Sequence, residues 1–131
     1  MTKQNNKYAV ITGASSGIGA ATAKAFAMRG HNLILIARRT ERLNALRKEL
    51  LAAHPTLDII VKTADLCLAE NITQVYDAVK ELPIRTWINN AGFGNYGAVG
   101  ASDLGKMRQM LYLNIEALTV FSTLFVRDFA E

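Results

Sequence analysis

The segment Thr12-Gly13-Ala14-Ser15-Ser16-Gly17-Ile18-Gly19 is the strongest indication of the fold of this chain. It follows the apolar run Tyr8-Ala9-Val10-Ile11, which predicts a short buried strand. It leads into an alanine-rich segment over residues 18–29, which predicts a helix that ends before Gly30. Strand, glycine-rich turn and helix in this order are typical of the crossover unit that binds nucleotides in α/β sheets.

Each glycine in this turn has a physical reason to be there. Gly13 lets the chain reverse at the end of the strand, and Gly17 has no Cβ to keep a pyrophosphate away from the backbone. Gly19 lets the helix pack close to the sheet. The unpaired N–H groups and the positive dipole end of the helix that starts near Ile18 then face the phosphates. Glycine-rich loops also serve as simple turns, but the flanking strand and helix favour a binding site.

A second group of candidate site residues follows two other predicted strands. The sequence Asn89-Asn90-Ala91-Gly92 comes directly after the apolar run over residues 84–88, and Asp65 comes at the end of a predicted strand over residues 57–64. Open α/β sheets bind their ligands at the carboxyl ends of the strands. We therefore expect both segments to lie beside the glycine-rich turn.

The Gly-x-x-x-Gly-x-Gly spacing, the Asn-Asn-Ala-Gly motif and Asn114 in the last predicted helix together resemble the short-chain dehydrogenase/reductase family. The resemblance covers essentially the whole chain. It implies that Asp65 accepts a hydrogen bond from an adenine amino group, that Leu66 packs beside the ring and that Asn114 holds a water in a proton relay. It also implies a pyrophosphate loop, formed by Gly13, Ser15, Ser16, Gly17, Ile18 and Gly19. A cofactor floor would be formed by Asn89, Ala91 and Gly92.

The chemistry that this resemblance implies is hydride transfer, with a tyrosine as acid and base and with a serine and a lysine as its helpers. In the family these residues follow the helix that contains Asn114, as a Ser and then Tyr-x-x-x-Lys. Nothing after Asn114 fits, because Ser122 belongs to the same predicted helix. Tyr76 and Lys80 have the required spacing, but their segment would lie on the outer face of the sheet. The chain is therefore predicted to be inactive alone.

Chain length sets the extent of the fold. A strand-helix-strand unit takes about 30 residues or more, so 131 residues provide about four strands with their helices. The prediction is a single domain over residues 1–131, incomplete at its C-terminus. Its fold class is α/β, a three-layer α/β/α Rossmann-type doubly wound parallel sheet truncated after about four strands in the order 3-2-1-4.

Two arginines after the second predicted strand indicate the cofactor. Arg38 and Arg39 follow the apolar run over residues 32–37, and Ala37 occupies the position where proteins that prefer NAD place an acid. The guanidinium groups can bind a 2′-phosphate, and no carboxylate at the position of Ala37 would repel it. NADP is therefore expected to bind better than NAD. Three further basic residues are expected on a solvated helix face, namely Arg42, Arg47 and Lys48.

Composition is that of one soluble α/β domain. Half of the residues are apolar, a fifth are charged and the net charge is +4. No stretch of eighteen uncharged residues appears and residues 1–7 are polar, so no membrane association is expected. A single cysteine, Cys67, favours the cytoplasm. Local positive charge without an aromatic ladder disfavours nucleic acid, and the separate His31 and His54 predict no metal site.

The last predicted helix, over residues 103–129, carries more apolar residues than one stripe against the sheet can use. In oligomers of the family the corresponding helix packs against its mate in a neighbouring subunit. The uncovered strand edge at residues 84–89 would add a second adhesive surface. We therefore expect a homo-oligomer formed through this helix and this edge.

Two functions remain open from the sequence. The chain is either the cofactor-binding part of an NADP(H)-dependent oxidoreductase that acts on a carbonyl or alcohol substrate, or a truncated, inactive product that only binds nucleotide or self-associates. A nucleotide-sugar epimerase of the extended type is disfavoured, because its loop carries Gly-x-x-Gly-x-x-Gly. A flavoprotein is disfavoured because it would need a Gly-x-Gly-x-x-Gly loop and an acid at the position of Ala37. This chain has neither feature. The substrate itself is beyond prediction.

Overall fold

One parallel four-stranded sheet forms the centre of the molecule. The computed structural model describes residues 6–130, so the predicted domain's residues 1–5 and 131 lie outside the described residues. The strands are β1 (Tyr8–Thr12), β2 (Asn32–Ala37), β3 (Ile59–Thr63) and β4 (Ile84–Ile88). Their order in the sheet is β3-β2-β1-β4, as predicted, and β3 is shorter than the predicted 57–64.

Five α-helices connect and follow the strands. A π-helical segment, Tyr112–Ala117, joins the last two helices, and a 3₁₀ turn, Val99–Ala101, precedes them. The helices are α1 (Gly17–Met28), α2 (Thr40–Ala53), α3 (Ala69–Val79), α4 (Leu104–Leu111) and α5 (Leu118–Phe129). The cap position of α2 is Arg39 and no side chain caps it, because the hydroxyl of Thr40 is bonded instead to that of Thr63.

Apolar side chains cover both faces of the sheet, which confirms the three layers. Every residue of β1 and β2 is buried, as expected for interior parallel strands covered on both sides. The helices α1 and α2 close one face, with Leu43, Leu46 and Leu50 of α2 in the core. The helices α3 and α5 close the other, with a core that includes Ile72, Val75, Tyr76, Val79 and Phe121.

Strand β4 lies at the edge of this sheet. Within residues 6–130 it pairs with β1 alone. The indole ring of Trp87 on β4 packs against the ring of Phe121, with 4.8 Å between the centroids, and against Tyr76 and Phe125. Trp87 is therefore a packing residue, and the outer edge of β4 is uncovered in the described part of the chain.

The strand order places a crevice between β1 and β4. The chain leaves β1 toward β2 and β3 on one side and returns to β4 on the other, so the connections diverge at the carboxyl ends of β1 and β4. Ligands bind at such a switch point in open α/β sheets. The glycine-rich turn after β1 and the Asn-Asn-Ala-Gly motif after β4 both lie there.

One helical region of the described residues is long and apolar enough to cross a membrane. It runs over Leu104–Phe129, contains 26 residues and reaches a mean hydropathy of 1.3, with 11% of the tested window buried. Length and composition alone are weak evidence, because helices of soluble proteins pass the same test. In this fold the region packs through Ala117 and Phe121 onto the sheet.

Candidate cofactor-binding site

A buried threonine joins the two loops of the crevice. The side chain of Thr12 is 2% exposed, and its Oγ1 accepts hydrogen bonds from the backbone nitrogens of Asn90 at 3.0 Å and Ala91 at 2.9 Å. The side-chain amide of Asn90 forms a further bond between the two loops by donating to the carbonyl of Gly13 at 3.2 Å. Sequence reasoning assigned no role to Thr12 or Asn90, although both stand at the strand ends where a site was expected.

Two glycines permit the close approach of these loops. Gly13 has a φ of +64°, and a Cβ there would lie 2.9 Å from the Cα of Ala91. A Cβ on Gly19 would lie 2.2 Å from the carbonyl oxygen of Gly13 and 2.6 Å from Nδ2 of Asn90. The crowding at Gly19 therefore comes first from the turn itself, whereas the sequence suggested the sheet.

The first turn of α1 offers unoccupied hydrogen-bond donors to the crevice. Its cap residue is Ser16, whose side chain makes no capping bond, and no acidic residue lies in the first turn. Gly17 begins the helix with a φ of +57°, and the space where its Cβ would stand is open for at least 4 Å. Free N–H groups and the positive end of the helix dipole make this place suited to an anion such as a phosphate.

A cavity of about 410 Å³ opens at this crevice. Ten of the predicted site residues line it, which are Gly13, Ser15, Ser16, Ile18, Arg38, Arg39, Asp65, Leu66, Ala91 and Gly92. Four residues that were not predicted complete the wall, namely Ala37, Ala64, Asn90 and Leu113. Gly17, Gly19, Asn89 and Asn114 do not line the cavity. Among residues 6–130, no group of three or more His, Cys, Asp or Glu is arranged to hold a metal ion.

Asp65 is held so that one carboxylate oxygen remains available. Its Oδ1 accepts from the backbone nitrogen of Cys67 at 3.0 Å, and its backbone carbonyl accepts from the side-chain amide of Asn71 at 3.0 Å. Its second oxygen takes no N–H bond within the described residues, and the Cys67 thiol is a further hydrogen-bonding neighbour of the carboxylate. Burial first, and the neighbouring Asp65 second, raise the pKa of the Cys67 thiol. Cys67 is therefore a neutral packing residue beside the site.

The two arginines lie at the other wall of the cavity. Within residues 6–130, neither Arg38 nor Arg39 forms an ion pair, and Ala37 brings no carboxylate. Neither guanidinium is thus committed to an ion pair in the part of the chain that the structure describes. Of the three basic residues expected to be merely solvated, Arg47 differs, because its Nε donates to the carbonyl of Ile59 at 2.7 Å.

The side chain of Asn114 fixes the start of the loop after β4. Its Oδ1 accepts from the backbone nitrogen of Phe93 at 3.0 Å, and its Nδ2 donates to the carbonyl of Phe93 at 2.8 Å. A Cβ on Gly92 would lie 2.9 Å from this Oδ1. Asn114 belongs to the π-helical segment, a distortion that often marks functional positions. Both polar atoms of its side-chain amide are therefore engaged by the loop.

Asn89 lies on the side of β4 that faces α5. Its Oδ1 accepts from the indole nitrogen of Trp87 at 3.2 Å, and its Nδ2 donates to Oγ of Ser122 at 3.1 Å. These bonds attach the end of β4 to α5. Asn89 thus supports the loop from outside the cavity, and Ser122 serves the same connection.

Tyr76 and Lys80 are remote from the cavity despite their suggestive spacing. The hydroxyl of Tyr76 donates to the carbonyl of Leu124 at 2.9 Å and to the carboxylate of Asp128. Burial, followed by the bond to Asp128, raises the pKa of Tyr76 above its usual range. Lys80 pairs with Asp77 at 3.2 Å. Tyr76 therefore joins α3 to α5 and neither residue lines the cavity.

A family model described as short chain dehydrogenase matches residues 7–131. The chain belongs to the short-chain dehydrogenase family. Membership confirms the resemblance drawn from the glycine turn and the Asn-Asn-Ala-Gly motif. The proteins of this family are oxidoreductases, which places the cavity in an oxidoreductase scaffold.

Individual members of the short-chain dehydrogenase family are similar to most of this chain. An uncharacterised oxidoreductase of Mycobacterium tuberculosis is 34% identical over 92% of this chain and 48% of its own length. The bulky-bulky ketone specific alcohol dehydrogenase from Comamonas testosteroni is 36% identical, with a TM-score of 0.90 over 96% of this chain and 51% of that chain. A short-chain dehydrogenase from Sphingobium yanoikuyae in complex with NADPH is 35% identical, with a TM-score of 0.85 over 92% and 49%. The chain spans about half the length of these relatives.

Proposed function

We propose that this chain supplies the NADP(H)-binding part of a short-chain dehydrogenase that transfers hydride to or from a carbonyl or alcohol substrate. The observation that carries the proposal is one cavity that is lined both by the uncapped start of α1 and by Arg38 and Arg39. A dinucleotide with a 2′-phosphate carries negative charge on its pyrophosphate, which would lie at the start of α1. It carries further negative charge on the 2′-phosphate, which would lie beside the arginines. NADPH in the similar Sphingobium enzyme supports the same cofactor here.

Each wall of the cavity fits one part of this cofactor. The N–H groups of the turn before α1 would hold the pyrophosphate, and Arg38 with Arg39 would bind the 2′-phosphate through charged hydrogen bonds. The free oxygen of Asp65 would accept from the adenine amino group, and Leu66 would pack beside the ring. The bound nicotinamide supplies the hydride chemistry. NAD lacks the 2′-phosphate, so it would leave the guanidinium groups unpaired.

The acid and base of the reaction are expected from residues other than those described. Tyr76, the one tyrosine with a lysine four residues later, has its hydroxyl bonded to Leu124 and Asp128. We propose that a serine, a tyrosine and a lysine outside these 131 residues complete the site. Asn114 would then hold a water of the proton relay, as the resemblance implies. This chain alone would bind the cofactor without turnover.

Self-association is the second part of the proposal. Several large apolar side chains of the region Leu104–Phe129 are exposed, which are Leu104, Leu111, Tyr112, Ile115, Leu118 and Val126. A second copy of the chain would cover them, and the edge of β4 offers a further surface. The same surfaces favour the alternative function, a protein that binds nucleotide or assembles without catalysis. We place either form in the cytoplasm, away from membranes and nucleic acid.

Titration with both cofactors tests the proposal. We expect NADPH to bind at least about tenfold more tightly than NADH, because charged hydrogen bonds to the 2′-phosphate exist for NADPH alone. Arg38→Ala should weaken NADPH binding by a similar factor and leave NADH binding unchanged. Arg42→Ala, which removes an arginine outside the cavity wall, is the control. Equal affinities for NADPH and NADH would contradict the proposal.

An activity assay separates the two functions. The purified chain with NADPH and a panel of ketones and aldehydes should show no turnover above the buffer rate. Turnover that depends on this chain would overturn the expectation of inactivity while leaving the cofactor assignment intact. Binding of neither NADPH nor NADH would favour a protein that only assembles.

A further inference from the structure

A pair of hydroxyl groups joins the start of α2 to the end of β3, beside Arg38 and Arg39. Oγ1 of Thr40 lies 2.7 Å from Oγ1 of Thr63, a normal distance for a hydrogen bond between hydroxyls. Thr40 is the first residue of α2, and Thr63 is the last residue of β3. The hydroxyl that could cap α2 is therefore used to bridge two different segments of the chain.

This bond is one of two hydrogen bonds that flank Arg38 and Arg39 along the chain. On one side of them, the backbone nitrogen of Ala64 donates to the carbonyl of Ala37 at 3.0 Å. On the other side, Thr40 is bonded to Thr63. Arg38 and Arg39 are the only residues between these two anchors, and both anchors attach to the end of β3.

Thr63 also lines a cavity together with Arg38. A second cavity, of about 350 Å³, adjoins the first, and its wall includes Arg38, Thr63 and Asp65. Thr40 lines neither cavity. A hydroxyl that is absent from both walls can influence a bound nucleotide only through the segment that it fixes.

We infer that the Thr40–Thr63 hydroxyl pair positions Arg38 and Arg39 for the 2′-phosphate and so sets the preference for NADPH over NADH. The inference rests on the proposed function. Backbone held at both ends spends less conformational entropy when the guanidinium groups engage a phosphate. NADH makes no such contact, so its binding does not depend on the pair. Both threonines are positioning residues.

Four variants and two cofactors test the inference by measured dissociation constants. Thr63→Val, Thr40→Val and the double variant should each weaken NADPH binding by about two- to fivefold and leave NADH binding unchanged. The three losses should be equal, because each variant breaks the same bond. Thr63→Ser keeps a hydroxyl and should retain the wild-type ratio. Thr123→Val is the matched control, because it removes another exposed hydroxyl bond, of 2.8 Å to the carbonyl of Thr119.

Any other pattern of dissociation constants would overturn the inference, and each pattern would have a different cause. A wild-type chain without preference for NADPH refutes the proposed function, whereas a wild-type preference that survives in all three valine variants refutes the positioning role alone. An effect of Thr63→Val without an effect of Thr40→Val would mean that Thr63 contacts the cofactor directly. Equal weakening of NADPH and NADH would mean a general loss of structure, which thermal unfolding of each variant would also detect.

Discussion

Oγ1 of Thr12 lies 2.9 Å from the backbone nitrogen of Ala91, and this bond connects the end of β1 to the loop after β4. The nitrogen of Asn90, 3.0 Å from the same oxygen, has a second acceptor in the carbonyl of Ile88. The N–H of Ala91 has no other partner among the described residues. Thr12 therefore helps to hold the two walls of the crevice together, alongside the bond from the Asn90 side chain to Gly13.

Replacing this hydroxyl should destabilise the fold. Thr12→Val keeps the shape of the side chain but leaves the N–H of Ala91 unpaired, at a cost of about 1–3 kcal/mol in the free energy of unfolding. Urea denaturation of the purified chain measures the change. Thr12→Ser keeps the oxygen and should lose less than Thr12→Val. A valine variant as stable as the wild type would show that the connection contributes nothing.

Gly19 should be intolerant of even one methyl group. Its Cβ would lie 2.2 Å from the backbone oxygen of Gly13, so the phosphate turn has to move if Gly19→Ala is to fold. We expect a loss of about 1–3 kcal/mol in stability, together with weaker NADPH binding. Gly100→Ala is the control, because a Cβ there meets nothing within 4 Å. Normal NADPH affinity in Gly19→Ala would contradict the tight packing of the turn.

Acid should weaken the junction between α3 and α5. Hydrogen bonds from Arg127 and then from Tyr76 lower the pKa of Asp128 from 3.8 to about 2. A carboxylate with a lowered folded-state pKa stabilises the fold above its unfolded-state value, and this contribution disappears as the pH falls from 3.8 toward about 2. The free energy of unfolding should fall across this window, and it should fall less in Asp128→Asn.

A matched carboxylate separates this effect from the general loss of charge in acid. Asp77 on α3 forms an exposed ion pair with Lys80 at 3.2 Å, so Asp77→Asn removes one negative charge without touching Asp128. Asp77→Asn should keep the wild-type dependence on acid. Identical acid dependence in the wild type and in Asp128→Asn would exclude the role of this carboxylate.

The exposed apolar face of the last helical region should control assembly. Ile115 is 57% exposed and Leu118 is 45% exposed. The double variant Ile115→Lys/Leu118→Lys should shift the chain toward monomer in analytical ultracentrifugation, because two buried charges would oppose the interface. Met28→Lys is the control, because Met28 is a 77% exposed apolar residue on α1. A wild-type chain that sediments as a monomer at all concentrations would contradict the proposed assembly.

Local patterns in the sequence were sufficient for the fold. The apolar run over residues 8–11, the glycine turn and the alanine-rich helix predict one crossover unit, and repetition of this unit predicts the order 3-2-1-4 that the structure has. Ten of the predicted site residues line one cavity. They meet there because the carboxyl ends of parallel strands lie at the same edge of the sheet. Such features follow from hydrophobic period and turn chemistry, which are local properties of the chain.

Partners across long sequence separations were decided only by tertiary structure. No sequence pattern joins Thr12 to Ala91, Thr40 to Thr63 or Asn114 to Phe93, since these bonds exist only when strands and helices have packed in register. Packing also decided that Tyr76 contacts Asp128 and that Asn89 faces α5. The sequence by itself thus determined the crossover units and the family to which they belong. Tertiary structure determined which polar atoms are left free to bind a ligand, because packing satisfies the others first.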